Sequence, residues 1–273
     1  MINNKIKNIP VYICVGIVSI FALLPFYMMI VMGTYINEDL FTGVKLLPGS
    51  YLWENLKTVV GLHFLTYYNN SLMVALIHTV GGVFVSALTG YAFAKYRFKF
   101  QNGLFFFILG TLMIPPQLGL VGFVVEMKWF GMTNTLWPLI LPGMATPFGV
   151  FWMTQYIASS VPDEIIESAK IDGCNDFRIF LQIVMPVIRP ALVTIFLLFF
   201  LWSWNNYLTP LVIINRDSLY TVPLAISMIG NEFRTDFAAR ILALTISSIP
   251  IIILFAFGSK QLIRGLTAGS IKG

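Results

Sequence analysis

The segment from Trp202 to Tyr207 combines aromatic rings with side-chain amide and hydroxyl groups. Aromatic faces pack against C–H surfaces, and amides and hydroxyls can satisfy the hydroxyl groups of a polar solute. Gln117, which follows two prolines, supplies a further amide. The candidates for solute contact are therefore Trp202, Trp204, Asn205, Asn206, Tyr207 and Gln117. The same rings could instead anchor a helix at a membrane surface, so both interpretations stay open.

Two titratable residues, His78 and Glu126, lie in or beside long apolar stretches and could transfer protons. They fall in different stretches at opposite expected depths, so they make a poor pair, and His78 is expected to be a neutral, hydrogen-bonded imidazole. The chain has neither a G-x-x-x-x-G-K-[ST] phosphate loop nor an H-E-x-x-H motif, and Cys14 and Cys174 lie in different environments. We therefore expect no catalytic residue, no metal site, no disulfide bond and no cofactor bound by this chain.

The composition indicates an integral membrane protein. Of its 273 residues, 58% are hydrophobic and only 11% are charged, against roughly 25% charged in ordinary soluble domains. The apolar residues also fall in long blocks, with the charges between them. This excludes a soluble enzyme, a disordered chain and a nucleic-acid-binding protein, in spite of the net charge of +5.

Six apolar stretches are each long enough to cross a bilayer as a helix, which takes about 20 residues. They run approximately from Val11 to Met32, Tyr68 to Ala94, Leu104 to Val125, Leu136 to Tyr156, Ala191 to Ile213 and Ala238 to Phe257. The predicted fold class is therefore an all-α, polytopic membrane protein with six transmembrane helices. Prolines in the third and fourth stretches predict interruptions that serve as kinks, hinges or cavity walls.

The positions of the basic residues predict the orientation of these helices. When the N-terminus is placed inside, most Lys and Arg residues fall on the cytoplasmic side, which the positive-inside rule favours. Both termini are then cytoplasmic. Lys95, Arg97 and Lys99, at the inner end of the second stretch, are interpreted as orientation charges rather than as contacts to another protein.

The longest predicted cytoplasmic segment, Ile157 to Pro190, is patterned as two short helices. Ser160 can cap the first helix, and Gly173 can end it in the left-handed conformation. Asn175 or Asp176 can cap the second helix. One apolar stripe is then expected at Phe177, Phe180, Leu181 and Val184, before Pro186 and Pro190 end the pattern.

The spacing in this loop resembles the cytoplasmic signature of binding-protein-dependent ATP-binding cassette (ABC) permeases. The match consists of Glu167-Ser168-Ala169, Gly173, Ile183 and Met185-Pro186, with Ser168 and Met185 replacing the usual alanine and leucine. Other segments are similar to the carbohydrate branch, in particular to the maltose-type second permease subunit. They are Asn70-Ser71-Leu72, Tyr91-Ala92-Phe93-Ala94, Met113-Ile114-Pro115, Leu141-Pro142-Gly143, Trp204-Asn205, Pro210-Leu211 and the ending from Gly265 to Gly273.

The resemblance implies a single transmembrane permease domain over residues 1–273, with the type I ABC importer fold. Its core is expected at 68–258, a coupling-helix loop at 157–190 and a cytoplasmic tail at 258–273. Residues implied to couple to the ATPase are Glu167, Ser168, Ala169, Asp172, Gly173, Phe177, Phe180 and Pro186. Those implied to lie against the ATPase from the tail are Gly269, Lys272 and Gly273.

The resemblance also implies the other subunits of the complex in which this chain works. A second, related permease would form a heterodimer with it, two ATPase subunits would hold ATP and Mg, and an extracytoplasmic solute-binding protein would deliver a sugar or oligosaccharide. The chain itself would be a transport subunit and not an enzyme, in the plasma membrane of a prokaryote. Import as the direction of transport comes from the resemblance alone.

Three alternatives remain open from the sequence. The same kind of importer could carry an amino acid, a polyamine or glycerol phosphate. A stand-alone channel or ion-coupled carrier would need no partners, but its spans usually hold buried charges. An intramembrane enzyme would need a constellation of catalytic side chains at one depth.

Overall fold

The computed structural model describes residues 9–230 and 236–268, and the side chains of 10–230 and 236–259 within them. The regular structure of these residues is mostly α-helical, with short 3-10 turns. In chain order the helices are α1 (Ile9–Met32), α2 (Leu52–Gly61), α3 (Phe64–Lys95), α4 (Gln101–Thr111), α5 (Leu120–Trp129), α6 (Trp137–Ile140), α7 (Pro147–Ser160), α8 (Asp163–Ile171), α9 (Asp176–Val187), α10 (Arg189–Trp204), α11 (Leu208–Ile213), α12 (Val222–Ser227), α13 (Phe237–Ser247) and α14 (Ile249–Ala268). Helix α9 contains one stretch of π-helix, Phe180–Val184.

The chain divides into two compact units. One comprises the residues up to Leu65 together with Ala225–Ile249, and the other comprises Thr66–Leu224 together with the residues from Pro250 onward.

The first unit contains α1, α2 and α13. A Cβ at Gly33 would lie 3.2 Å from the Cα of Leu242, so the end of α1 packs closely on α13. The side-chain amide of Asn55 donates hydrogen bonds to the carbonyl oxygens of Gly33 and Tyr35, at 2.9 and 2.8 Å. Residues 10–27 of α1 are exposed and mostly apolar. A surface of this kind requires an apolar surrounding such as a bilayer.

The second unit is built around α3, α7, α9 and α10. Its largest core cluster includes the fully buried side chains of Met153, Ile157, Phe180 and Phe199. Helix α3 runs without interruption for 32 residues. Glycines let its neighbours approach closely, and a Cβ at Gly82 would lie 3.1 Å from the ring of Phe199.

The predicted spans agree with the helices only in part. Helix α1, helix α3 and the run Phe237–Ser259 are each long and apolar enough to cross a membrane, and two bent helix pairs raise the number of candidate spans in the described residues to five at most. The predicted third span is bent by 89° between α4 and α5. The prolines at this bend cannot donate a backbone hydrogen bond and clash with the preceding turn, which is the physical reason for the break.

The predicted fourth and fifth spans are also interrupted. The fourth, Leu136 to Tyr156, consists of α6, a 3-10 turn at Pro142–Met144 and α7. The fifth, Ala191 to Ile213, is divided between α10 and α11. The interruptions in the third and fourth stretches agree with the prediction from their prolines, whereas the break in the fifth stretch was not predicted.

Candidate functional site

The loop between α7 and α10 contains two helices joined by a tight turn. Gly173 has φ +80°, the left-handed conformation that was predicted for it. The side chain of Asn175 caps α9, because its Oδ1 accepts a hydrogen bond from the amide of Arg178 at 2.8 Å. The prediction for Ser160 was wrong. Ser160 is the last residue of α7, and α8 begins after Pro162 without a side-chain cap.

The predicted apolar stripe on α9 was wrong as well. Phe180 and Val184 are fully buried, but Phe177 is 58% exposed and Leu181 is 42% exposed, and Ile179 lies in the core in their place. The stripe was predicted with α-helical spacing, and the π-helix over Phe180–Val184 interrupts that spacing. A π-turn holds more residues than an α-turn, so side chains spaced for an α-helix do not stay on one face.

Phe180 attaches the loop to α3. Its ring stacks on Tyr91 with centroids 5.6 Å apart and meets Phe84 edge-on at 6.1 Å. Both partners belong to α3. Aromatic pairs at these separations contribute about 0.5–1.5 kcal/mol each beyond their area burial. The second helix of the loop is therefore an integral part of the packed unit.

The residues implied to couple to an ATPase divide into two groups in the structure. Ala169 and Phe180 are buried in the core cluster. The exposed residues are Glu167, Ser168, Asp172, Gly173, Phe177 and Pro186. Ile171 is also exposed. The outer face of the loop thus combines carboxylates with uncovered apolar side chains around the turn at Gly173.

Lys95 has a structural contact that its interpretation as an orientation charge did not include. Its side chain is only 5% exposed, and its ammonium group pairs with the carboxylate of Asp163 at the start of α8. It also donates to the carbonyl oxygen of Val161. Arg97 and Lys99 are exposed, as expected for orientation charges.

The second unit contains a cavity of about 1080 Å³ with a mixed polar and apolar wall. Three of the predicted solute contacts, Gln117, Trp202 and Asn206, line it. Trp202 and Asn206 are four positions apart across the end of α10, a spacing that brings side chains to one side of a helix. Thr209, at the start of α11, lies on the same wall.

The other predicted solute contacts do not line this cavity. Trp204 is 2% exposed, stacks on Phe200 at 5.6 Å and meets Tyr68 edge-on at 5.4 Å. The side-chain amide of Asn205 donates to the carbonyl oxygen of Leu201 at 2.9 Å. Tyr207 is likewise absent from the described lining of the cavity. Trp204 is two positions from Trp202, and this places it on the other side of α10, in the core.

His78 and Glu126 both line the cavity, which the sequence interpretation missed. His78 Nδ1 lies 3.4 Å from the carbonyl oxygen of Ile140, so the expected hydrogen bond of the imidazole is present. A Cβ at Gly143 would lie 2.2 Å from His78 Cε1. Glycine at 143 therefore allows the ring to sit against the 3-10 turn. The signal that could have assigned His78 and Glu126 to a shared site was the presence of a polar residue in or beside an apolar stretch.

The described residues contain no group of three or more His, Cys, Asp or Glu side chains that could hold a metal ion. Cys14 and Cys174 both have free thiols. The predicted tail contacts Gly269, Lys272 and Gly273 lie outside the residues that the structure describes.

Apolar helices, a cavity with a mixed wall and a two-helix loop with an uncovered outer face together define a membrane transport subunit. The chain belongs to the family described as binding-protein-dependent transport system inner membrane component, which matches residues 82–267. It is therefore a permease subunit and not an enzyme, as the resemblance implied.

Relatives support this assignment over most of the chain. The arabinooligosaccharides transport system permease protein AraQ of Halalkalibacterium halodurans is 33% identical over 79% of this chain and 77% of its own. The sn-glycerol-3-phosphate transport system permease protein UgpE of Pectobacterium atrosepticum is 32% identical over 94% of both chains. A crystal structure of a bacterial ABC transporter involved in the import of the acidic polysaccharide alginate has the same fold, with a TM-score of 0.79 at 22% identity over 94% of this chain and 97% of that one.

Proposed function

We propose that this chain is one of two permease subunits of an ATP-driven importer for a neutral sugar or oligosaccharide. The observation that carries the proposal is the cavity, in which Trp202 offers a flat apolar face beside the amides of Gln117 and Asn206. Such a combination suits the C–H faces and hydroxyl groups of a carbohydrate. The volume of about 1080 Å³ is slightly above the roughly 300–1,000 Å³ usual for small-molecule sites.

Two relatives suggest different solutes, a sugar oligomer for AraQ and a phosphate ester for UgpE. The carboxylate of Glu126 on the cavity wall argues for the neutral solute, because it repels a phosphate group. It would attract a polyamine, so a polyamine belongs in the same assay. Glu126→Gln removes the charge at nearly constant size and is the matched variant.

The proposed topology has six spans and cytoplasmic termini. The first two spans are α1 and α3. Each of the four later spans consists of two helices, namely α4 with α5, α6 with α7, α10 with α11, and α13 with α14. The distribution of Lys and Arg supports this orientation. Interrupted helices are tolerated at membrane depth where they line a cavity, and the breaks at Gln117 and Asn206 do so.

The proposed assembly contains a second, related permease, two ATPase subunits that hold ATP and Mg, and an extracytoplasmic binding protein, in the plasma membrane of a prokaryote. The loop at 157–190 would seat in an ATPase subunit. Glu167, Ser168, Asp172 and Phe177 would contact it directly, while the buried Ala169 and Phe180 would support them from behind. The tail, with Gly269, Lys272 and Gly273, is proposed to lie against the ATPase dimer.

The test is uptake by the complete complex in proteoliposomes with ATP inside and the binding protein outside. Labelled arabinooligosaccharide, sn-glycerol-3-phosphate and a polyamine are compared at equal concentration. We expect nucleotide-dependent uptake of the sugar, and a relative gain for the phosphate ester with Glu126→Gln. Flux through the isolated chain without nucleotide would contradict the proposal and favour a stand-alone channel or carrier.

A further inference from the structure

The inner end of α3 is joined to the start of α8 by a nearly buried cation. The Lys95 ammonium donates to Asp163 Oδ1 at 2.5 Å and to the carbonyl oxygen of Val161. The Lys95 side chain is 5% exposed, whereas that of Asp163 is 74% exposed. A buried ammonium is tolerated only where it is paired and hydrogen-bonded, so Lys95 holds this contact in place.

The next residue, Tyr96, is joined to both helices of the loop. Its hydroxyl is hydrogen-bonded to the carboxylate of Asp176, the first residue of α9, and lies 3.3 Å from the hydroxyl of Tyr91. The Lys170 ammonium of α8 lies 5.1 Å from the centroid of the Tyr96 ring and 3.4 Å from Asp176 Oδ1. Tyr96 therefore lies within one network with α8, α9 and α3.

The protonation states of these groups favour the contacts at neutral pH. Burial, followed by the hydrogen bond to Asp176, raises the pKa of Tyr96, so its hydroxyl stays protonated and able to donate. The hydrogen bond from Lys95 lowers the pKa of Asp163. The hydrogen bond from Tyr96, and then Lys170, lowers the pKa of Asp176. Both carboxylates therefore stay charged at neutral pH.

Helix α3 connects this network to the cavity. It is one uninterrupted helix from Phe64 to Lys95, and His78 on the cavity wall is about 25 Å from Lys95 along its axis at 1.5 Å per residue. Close contacts hold its middle, since a Cβ at Gly81 would lie 2.5 Å from Met144 Cε. One uninterrupted helix therefore links the contacts of Lys95 with the cavity wall at His78.

We propose that Lys95 and Tyr96, named here the loop anchor, are positioning residues that fasten both helices of the ATPase-docking loop to α3. When the loop is displaced, α3 and its part of the cavity wall move with it as one unit. The inference rests on the proposed function, because it needs the loop to dock an ATPase and the cavity to hold the solute.

The first test compares Lys95→Met and Tyr96→Phe with Lys99→Met in the full importer complex. Lys99 is a nearby, exposed cation and is the matched control. We expect both anchor variants to lower the solute taken up per ATP hydrolysed, by about tenfold for Lys95→Met, a factor typical of coupling between two sites. Lys99→Met should leave this ratio unchanged. An unchanged ratio in both anchor variants would overturn the proposal.

The second test separates fastening from a general loss of structure. In a background with Cys14→Ser and Cys174→Ala, Lys95→Cys and Asp163→Cys are introduced together and then joined by a short bis-maleimide. The double variant should lose coupling, and the cross-link should restore it, because the loop and α3 are meant to move together. Transport that stays low or falls further after cross-linking would show that the loop and α3 must move apart, and this result would overturn the proposal.

Measurements on the wild-type complex distinguish a failure of the proposed function from a failure of the loop-anchor proposal. If it shows no ATP-dependent uptake of any solute in the panel, the proposed function is wrong. If it transports and the anchor variants behave like Lys99→Met, only the role of Lys95 and Tyr96 is wrong. Should Lys95→Met fail to assemble, Tyr96→Phe decides the matter, because it removes a single hydroxyl group.

Discussion

Gly90 of α3 lies directly against the backbone of α7 at Met153. A Cβ built on Gly90 would be 2.6 Å from Met153 Cβ and 2.8 Å from the amide nitrogen of Thr154. Real Cβ atoms do not approach backbone this closely, so the contact between the two helices requires glycine. Small residues allow membrane helices to pack at short range in this way.

We expect Gly90→Ala to reduce the amount of folded permease and to lower its thermal stability in detergent, since overpacking costs about 1–3 kcal/mol. Gly103→Ala in α4 is the control, because a Cβ there meets nothing within 4 Å. Size-exclusion profiles and melting curves of the two variants give the comparison. Equal stability would contradict the tight contact between α3 and α7.

Gly173→Leu should leave the protein folded in the membrane but uncouple ATP hydrolysis from uptake. The turn has φ +80°, and an L-residue in that conformation costs roughly 1–2 kcal/mol. There is open space around Gly173, so strain and not a clash is the expected cause. Gly173→Asn is the matched variant, because asparagine tolerates the left-handed region. Solute-stimulated ATPase activity and uptake are measured together, and normal values for Gly173→Leu would argue against the role of this turn.

Trp202 and Trp204 should give opposite phenotypes when each is replaced by alanine. Trp202→Ala removes the exposed face in the cavity and should weaken uptake while the complex still assembles. Trp204→Ala empties a core position and should cost about 3–5 kcal/mol of stability. Binding-protein-dependent uptake and melting temperature are measured for both. A stability loss in Trp202→Ala equal to that in Trp204→Ala would refute the assignment of Trp202 to the cavity.

Asn175→Ala should loosen the start of α9 by about 1 kcal/mol, because it removes the acceptor for the Arg178 amide. Asn175→Asp keeps an acceptor at the same place and should behave like the wild type. Hydrogen exchange of the amides in 176–179 is the direct measurement. Faster exchange in Asn175→Asp as well would mean that the cap does not hold this turn.

Local structure could be predicted from the sequence where one or two neighbouring residues determine it. Gly173 was assigned correctly, and the cap is Asn175, one of the two predicted candidates, because a left-handed turn and a helix cap depend on the residue type at that position. The long apolar helices α1 and α3 were likewise evident from composition. The family signature in the loop added the transport role.

The rest depended on contacts between distant parts of the chain. Lys95 pairs with Asp163, 68 positions away, and no local sequence pattern indicates that partner. The exposure of Phe177 depends on which face of α9 packs into the core, where Ile179, Phe180 and Val184 are buried. The common cavity of His78 and Glu126 depends on the breaks that bring α5 and the 3-10 turn at 142–144 toward α3. These features depend on tertiary contacts, which the periodicity of the sequence does not specify.

The stacking of Phe180 on Tyr91 and Phe84 bears on how permeases of this kind can be recombined. The loop and α3 share one interior, although Phe180 is 89 positions from Tyr91 and 96 positions from Phe84 along the chain. A chimera that receives the loop of another permease without the matching α3 would place a foreign side chain against those rings. Swapping docking specificity between importers therefore requires that both segments be exchanged as a set.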